Sequence, residues 1–407
     1  YEMGDEPEDR FQISRFFELQ EAEPLFDFVK EGIGRWDYTD LMKCLRQIKA
    51  WALKGDAHFE MALELLTLMM DRRYPTYDKK RRSVLQMVNR TLEAMFRHVP
   101  TLDTEGVRGG YRLIDWETRG LLRGPVNEEK ALIIDASLFP PEGEECDSRL
   151  MAEAFFKGWR RFIVFGLKGQ RFHGCGLGPD TGGVQIDLYG SSGDYAGSGI
   201  DGLSLYIHGN GQDQLGQIMK SGKMVIYGDT GQTFMYGAKG GEVYVLGNAA
   251  GRPLINAVGR PKVVINGTCL DYLAESFMAG DPLNGGGFVV LNGLHVDHDG
   301  NIRPQATPYP GSNLFSLASG GAIYVRDPFH NVDDQQLNGG EIVPLDEKDW
   351  GLILPFLREN ERLFGISIEE HLLKVEGEAR SPLQVYIKVR PKQNDTAGRD
   401  GLQEWGE

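Results

Sequence analysis

Glycine-rich clusters are the residues of this sequence whose spacing could form a phosphate-binding loop. GDYAGSG spans 193–199 and GAKGG spans 237–241. A dinucleotide-binding loop places its glycines between a strand and a helix, because the helix N-terminus binds the phosphate. Each cluster here is followed by another strand-like segment. The spacing therefore favours glycines in tight turns, where φ is positive, over a nucleotide site.

Four cysteines could do thiol chemistry: Cys44, Cys146, Cys175 and Cys269. They are scattered and form no CxxC pair, so they predict neither a disulfide framework nor a zinc or iron–sulfur site. A catalytic thiol needs a histidine partner, and His173 lies two residues from Cys175. That spacing along a strand does not by itself make a dyad. The pattern favours an interpretation of the cysteines as small buried side chains. The alternative is an enzyme site at His173 or Cys175.

A second group of residues that could take part in chemistry, here as metal ligands, lies in LHVDHDGNIRP at 294–304. Its members His295, Asp297, His298 and Asp299 could ligate a metal by composition. Alternation along a strand would place them on opposite faces, and Asp299 begins an Asp-Gly turn. The pattern favours a solvated hairpin over a metal site.

The elements that position these residues are repeats. A short apolar run that ends in glycine recurs at intervals of 19, 19, 19 and 20 residues, and once more after an insertion. The glycines that close these runs, and that we expect at the corners of the repeats, are Gly190, Gly209, Gly228, Gly247, Gly267 and Gly293. A fixed period with about five strand-like residues per repeat, and no helix, predicts a mainly β fold in which coils stack as a parallel β-helix.

The segments around the repeats have other patterns. Helical periodicity and capping residues predict three helices within residues 39–98, and we expect residues 1–110 to form an α-helical docking domain. Residues 111–160 are interpreted as a mixed α/β connection, 161–345 as the repeat domain, and 346–407 as a C-terminal helical cap and tail. The cap is expected to cover the open end of the repeats, through Trp350, Ile353, Leu354 and Leu357.

Composition limits the classes of function. The formal net charge is −15, which argues against a general nucleic-acid-binding surface. No run of 18 apolar residues is present, so no membrane span is expected. The sparse cysteines indicate a reducing, cytoplasmic setting. The chain starts at Tyr1 rather than at methionine, so the sequence leaves open whether a targeting segment was removed.

Polar residues near the corners suggest a partner surface. Lys239, Arg252 and Arg260 lie near successive corners and could form a basic strip on an acidic protein. We interpret this strip as the candidate partner surface, the alternative being side chains that bond to carbonyl groups of the next repeat. Asn248 and Asn266 adjoin corner glycines and are interpreted as turn residues.

Four segments resemble the glycine-repeat (GXGXG) domain of the glutamate synthase large subunit, which also occurs in formylmethanofuran dehydrogenase. They are GQRFHGCG, GSSGDYAGSGI, YGDTGQTFMYGAKGGEVYVLGNAAGR and VVINGTCLDYLAESFMAG, in the order of the family. The resemblance covers about residues 160–345, and ENERLFGI (359–366) is similar to the tail of stand-alone versions. It implies a right-handed parallel β-helix.

The resemblance also implies a structural role, because in that family other parts of the enzyme carry the catalysis. It leads us to expect a non-catalytic subunit of a multi-subunit oxidoreductase, without a cofactor in this chain. FMN or FAD and iron–sulfur clusters are then expected in partner subunits, with an amidotransferase as a further possible partner. The alternatives are a small-molecule enzyme site on the glycine-rich surface and a free-standing binding or regulatory module.

Overall fold

The computed structural model describes residues 11–104, 109–297 and 299–392 of the 407-residue chain. Five helices come first: α1 (Ser14–Leu19), α2 (Ala22–Ile33), α3 (Tyr38–Ala52), α4 (Asp56–Asp71) and α5 (Arg81–Phe96). The three helices predicted from periodicity are confirmed as α3, α4 and α5. Helix α3 begins after Asp37, whose side chain accepts a hydrogen bond from the backbone N–H of Asp40.

The remaining elements are mostly strands. In chain order they are β1 (Tyr111–Ile114), β2 (Ala131–Asp135), α6 (Asp147–Phe156), β3 (Arg161–Phe165), β4 (Gln185–Leu188), β5 (Asp201–Ile207), β6 (Ser221–Ile226), β7 (Glu242–Val245), β8 (Lys262–Ile265), β9 (Phe288–Leu291), β10 (Leu294–Val296), β11 (Ile302–Pro304), β12 (Ala322–Arg326), β13 (Gly340–Pro344), α7 (Glu347–Phe364), β14 (Lys374–Val375), β15 (Glu378–Ala379), α8 (Pro382–Val385) and β16 (Tyr386–Pro391).

Twelve of these strands form one sheet. Strands β1 to β9 lie side by side in chain order, followed by β12, β16 and β13. All neighbours are parallel up to β12, and β16 pairs antiparallel with both β12 and β13. In the repeats, Asp187 pairs with Tyr206, Tyr206 with Val225, and Val225 with Tyr244, each 19 residues further along the chain.

The predicted right-handed parallel β-helix, and with it the mainly β class, is wrong. The described residues form an α/β fold in which each repeat adds one strand to a single sheet, and no closed solenoid is formed. Apolar runs such as TFMYG at 233–237 are not further strands, because Thr233, Met235 and Gly237 have left-handed φ angles of 53°, 59° and 60°. Alternate left-handed residues cannot build an extended pleat.

The two faces of the sheet are covered differently. On one face, strand residues such as Leu205 and Met224 pack against turn residues of the repeats such as Phe234 and Leu254. On the opposite face, helices α1–α5 share a buried cluster with β1, β2 and β3. The ring of Phe96 in α5, for example, lies 5.2 Å from that of Phe165 in β3. The helical segment and the first strands therefore have a common core.

Helix α7 confirms the predicted C-terminal helix, but its predicted place over the open end of the repeats is wrong. Its residues Ile353 and Leu357 are buried with Tyr244 and Phe288 on the same face of the sheet as the N-terminal helices, over strands that those helices leave uncovered. The far end of the sheet is completed by β16 and β13 instead. No helix among the described residues is long and apolar enough to cross a lipid bilayer.

Buried amides attach α7 to the sheet. Asn360 of α7 and Asn266 exchange two side-chain hydrogen bonds of 2.7 and 2.9 Å. Asn292 donates to Asn266 at 2.8 Å and accepts from the Tyr386 hydroxyl at 2.9 Å. Satisfied buried networks of this kind specify one packing arrangement, because leaving any member unpaired is costly. Asn266, interpreted from sequence as a turn residue, belongs to this interior network.

Candidate functional site

The candidate site is a buried histidine where helix α4 meets the sheet. His208 follows β5, and its Nδ1 lies 2.8 Å from Oδ2 of Asp71, the last residue of α4. Its Nε2 lies 3.2 Å from Oδ1 of Asp187 in β4. The imidazole is stacked between Tyr189 and Tyr227, with ring centroids 4.3 and 5.3 Å away and planes within 16°. One side chain thus joins the helical segment to two strands.

The charges of this cluster depend on one another. Burial opposes a charge on His208, but Asp71 and Asp187 outweigh it and raise the pKa of the imidazole to about 10. Both ring nitrogens face carboxylate oxygens, which accept hydrogen bonds, so the ring donates from both nitrogens as an imidazolium. Burial raises the pKa of Asp71, and His208 offsets part of this rise. The cluster is therefore a cation held between two carboxylates.

A polar cavity of about 420 Å³ adjoins the cluster. Asp71 and Asp187 face it, but His208 binds both carboxylates, and Gln185 donates to the second oxygen of Asp187 at 2.8 Å. Its lining is completed by Glu60, Leu63, Glu64, Thr67, Leu68, Arg72, Arg161, Gln185, Tyr189, Tyr227 and Leu363. With these acids engaged, the chemistry available to the cluster is to hold charge and to dock α4 on the sheet.

The His208 cluster makes stability depend on pH in a defined direction. Free histidine titrates near 6.5, whereas the folded-state pKa of His208 is about 10. Between these values the folded protein binds a proton that the unfolded chain lacks. The cluster's contribution to the free energy of unfolding should therefore be complete below about pH 6.5 and be lost as pH rises towards about 10.

Urea unfolding of the wild type and of His208→Gln at several pH values checks this expectation. The stability difference between the two proteins should shrink steadily from pH 6.5 to pH 10. A difference that stays constant over that range would show that His208 is not charged in the folded protein.

The geometry around Cys175 argues against the alternative of a catalytic thiol. Its Sγ donates to the backbone carbonyl of Tyr195 at 3.2 Å, and burial raises the pKa of the thiol to about 11. His173 is fully buried and its Nε2 lies 2.8 Å from Asp147 Oδ2. A thiol that stays protonated at neutral pH, next to a histidine that is paired elsewhere, lacks the activation that a catalytic cysteine needs.

The possible metal ligands of 294–304 lie at the β10–β11 hairpin. Asp297 receives a hydrogen bond from Arg303 Nε at 2.6 Å and another from the backbone N–H of Asn301, and Arg303 holds the pKa of this carboxyl below its usual range. His298 lies outside the described residues. Among those described, no group of three or more His, Cys, Asp or Glu side chains is arranged to hold a metal ion.

The three residues of the expected basic strip lie at two different corners. Lys239 and Arg260 are exposed just before β7 and β8, and the backbone N–H of Arg260 donates to the carbonyl of Lys239 at 3.1 Å. Lys220 occupies the same corner before β6. Arg252 lies at another corner, where its guanidinium is 5.0 Å from the ring centre of Tyr272. A partner role for these residues stays a prediction.

The corner glycines allow successive repeats to approach closely. A Cβ atom on Gly209 would lie 2.6 Å from the carbonyl oxygen of Gly190, and one on Gly228 would lie 2.7 Å from that of Gly209. Gly247 and Gly267 have the same relation to the preceding corner, at 2.8 and 2.6 Å. Of the six corner glycines, Gly190 and Gly293 have positive φ angles, of 124° and 61°. Gly209, Gly228, Gly247 and Gly267 therefore leave room for a neighbouring backbone rather than for a ligand.

A family model described as the GXGXG motif matches residues 164–391, more than half of the chain. The chain belongs to the GXGXG motif family. This confirms the resemblance drawn from the sequence and makes the region a glutamate synthase-like domain. The match begins within β3 and ends with β16, so α7 lies inside the GXGXG domain.

Glycines of the GXGXG motif occupy alternating left-handed positions in the turns. Tyr195, Gly197 and Gly199 have φ angles of 64°, 73° and 73°, which confirms the positive φ expected for two glycines of the cluster at 193–199 but not for Gly193. The backbone N–H of Tyr195 donates to Asp213 in the following repeat, and that of Gly197 donates to His173 in the preceding one. These groups join repeats, and so they are not available to cradle a phosphate.

Side-chain oxygens also join successive repeats at the corners of the GXGXG domain, by accepting hydrogen bonds from the backbone of the next repeat. Oδ1 of Asn210 accepts from the backbone N–H of Asp229 at 2.9 Å, and Oδ1 of Asp229 accepts from that of Asn248 at 2.7 Å. Asn248 continues the ladder to Thr268 at 2.9 Å. The interpretation of Asn248 as a turn residue is confirmed.

Sequence reasoning missed the His208 cluster, although the period contains a signal for it. Residues 189, 208, 227 and 246 occupy one repeat position and are Tyr, His, Tyr and Leu. Asp187 shares a position with Tyr206, Val225 and Tyr244. A lone histidine and a lone aspartate in otherwise apolar or aromatic positions mark the site once the repeats are aligned.

Proposed function

We propose that this chain is a non-catalytic structural subunit of a multi-subunit oxidoreductase of the glutamate synthase type. Flavin (FMN or FAD) and iron–sulfur clusters would then belong to partner subunits, with an amidotransferase as a further partner where ammonia is handled. The observation that carries the proposal is the use of the domain's glycines. These glycines allow the backbones of successive repeats to approach closely, and their backbone groups form hydrogen bonds with neighbouring repeats. Both features are expected of a rigid scaffold.

Rigidity supports a scaffold role because a docking surface must keep its shape without its partner. The strands are paired in parallel from β1 to β12, with one register shift, between Asp201 and Ser204 of β5. The turns are tied by backbone bonds and by the ladder at Asn210, Asp229 and Asn248. Association costs less free energy when the interface is ordered beforehand.

The corner formed by Lys220, Lys239 and Arg260 is the proposed docking surface. Exposed apolar side chains lie in the turns of the same and later repeats: Ile218 is 43% exposed, Met278 is 51% exposed and Leu317 is 76% exposed. Met278 forms a bridge to Val258, two residues before Arg260. Nζ of Lys220 also lies 3.5 Å from Oδ2 of Asp201. Exposed apolar groups with polar and charged residues around them are typical of protein interfaces. The partner should present acidic residues around an apolar pocket.

Co-purification from the native source tests this proposal. The full chain carrying an affinity tag should elute well above its own 45.4 kDa, together with polypeptides whose absorbance spectrum shows flavin or iron–sulfur chromophores. Replacing Lys220, Lys239 and Arg260 together by glutamate should weaken this association at least tenfold, since like charges would then face the acidic partner.

A matched control replaces Lys43, Arg46 and Lys49 of α3 by glutamate. It changes the net charge equally and should leave the complex intact. Elution of the native protein at monomer mass, without chromophore-bearing partners, would overturn the subunit proposal. Equal loss of association in both triple variants would overturn only the assigned surface.

A further inference from the structure

A second polar site lies at Arg73, in the loop between α4 and α5. Its guanidinium donates to two backbone carbonyls, those of Asp71 at 2.8 Å and Tyr227 at 2.9 Å. Among the described residues, no carboxylate lies within ion-pair distance of it. The nearby Arg81 is bonded in the same way, to the carbonyl of Arg72 at 2.9 Å. Two guanidinium groups are therefore anchored by backbone carbonyls, and in the part of the chain that the structure describes neither forms an ion pair.

This environment compensates the positive charge of Arg73 only in part. Burial, followed by repulsion from Arg81, lowers the pKa of Arg73 to about 10, although Asp71 and Asp229 act to raise it. The guanidinium still carries its charge at neutral pH. A charge removed from water needs a compensating partner, and carbonyl dipoles compensate less than an anion does.

Arg73 faces a cavity of about 280 Å³ lined by polar and apolar residues, several of them at the corners of the repeats. The side chains of Asn210 and Asn248 line it, with His295 from the β10–β11 hairpin. Oδ1 of Asn210 is used by the corner ladder, whereas no acceptor among the described residues binds its Nδ2. The other lining residues are Gly228, Asp229, Leu246, Gly247, Asn266, Leu294, Val296, Ile302 and Ile366. The cavity thus offers the Nδ2 donor of Asn210, which no hydrogen bond among the described residues uses.

Asp229, which lines the cavity, limits the kinds of ligand that could bind there. Asp229 carries a negative charge, and its Oδ1 accepts the backbone N–H of Asn248. No hydrogen bond among the described residues involves its Oδ2. A bare anion would be attracted by Arg73 and repelled by Asp229. A ligand that also carries a hydroxyl or amino group could donate to Asp229 and relieve that repulsion.

We propose that this cavity binds a small molecule with an oxyanion, a carboxylate or a phosphate, that is held by Arg73. The same molecule carries a hydrogen-bond donor that Asp229 accepts. Asn210 supplies a further donor to the oxyanion. The site belongs to the contact between the helical segment and the repeats, where ligand pockets commonly occur.

Titration calorimetry on the full chain tests this with three probes: acetate, glycolate and inorganic phosphate. Acetate offers only the carboxylate, glycolate adds one hydroxyl, and phosphate offers the other oxyanion with its own donor. We expect glycolate or phosphate to bind with a Kd on the order of 1 mM or tighter, which a ligand of five heavy atoms can reach. Acetate should bind at least tenfold more weakly than glycolate.

Variants identify the residues responsible. Arg73→Met should abolish binding, and Asn210→Ala, which keeps the guanidinium, should weaken it several-fold. Asp229→Asn should reduce the preference for glycolate over acetate. Arg90→Met, an exposed arginine on α5, is the control and should bind like the wild type.

Arg73→Lys replaces Arg73→Met should the latter fail to fold, and is expected to weaken binding because it loses the guanidinium fork. Absence of saturable binding by all three probes at about 50 mM, well above the expected Kd, would overturn the proposal. So would unchanged binding in the Arg73 variant.

Discussion

Replacing His208 by alanine is expected to lower the free energy of unfolding by about 3–5 kcal/mol. The side chain is 6% exposed and donates to Asp71 and Asp187 at 2.8 and 3.2 Å. Its removal leaves two buried carboxylates close to each other without their shared cation. It also removes the central ring of the stack with Tyr189 and Tyr227. Urea unfolding followed by circular dichroism at pH 6.5 measures the change.

His98→Ala provides the matched control, because His98 is an exposed histidine just beyond α5. It should change the free energy of unfolding by less than about 1 kcal/mol. Adding Asp71→Asn to His208→Ala should recover part of the loss, since one unpaired charge is then gone, and this coupling can be measured by a double-mutant cycle. A loss below about 1 kcal/mol for His208→Ala would mean that the cluster does not hold α4 to the sheet.

Replacing Gly209 by alanine is expected to cost about 3 kcal/mol or more, at the upper end of what overpacking causes. The added methyl group would lie 2.6 Å from the carbonyl oxygen of Gly190, 2.8 Å from its carbonyl carbon and 3.1 Å from the nitrogen of Ser191. All three are backbone atoms, so no flexible side chain can move aside. The repeats would have to separate at this corner, which breaks neighbouring ladder hydrogen bonds.

The matched control is Gly182→Ala, in a turn of the same domain. A Cβ atom there would meet nothing within 4 Å, and the backbone is not left-handed. This substitution should be neutral within about 0.5 kcal/mol. Comparable thermal unfolding of the two alanine variants would contradict the view that corner glycines are required for close stacking.

Much of the local structure follows from the sequence alone. Apolar periodicity predicts α3, α4 and α5 correctly because an amphipathic helix records its buried face in the order of its residues. The 19-residue period predicts parallel neighbours such as Tyr206 and Val225, and the glycine-rich motif leads to the correct family. These features depend on residues close together in the chain or on a regular repeat.

The 19-residue period did not determine whether the repeats close into a solenoid or add strands to one sheet. A run such as TFMYG at 233–237 has the apolar character of a strand, and only its left-handed φ angles remove it from the sheet. The position of α7 was likewise undetermined, because its apolar stripe fits the end of the repeats as well as the face of the sheet. Packing against Tyr244 and Phe288 decided between them.

The sequence by itself determined the helices, the strand spacing, the family and the glycines at the corners. The tertiary structure alone decided that one sheet carries all the repeats, and that Asp71, Asp187 and His208 meet although 137 residues separate the first from the last. The physical reason is the range of the interactions. Backbone propensity and periodic burial act along the chain, whereas buried charges such as that of His208 find their partners only when distant segments pack together.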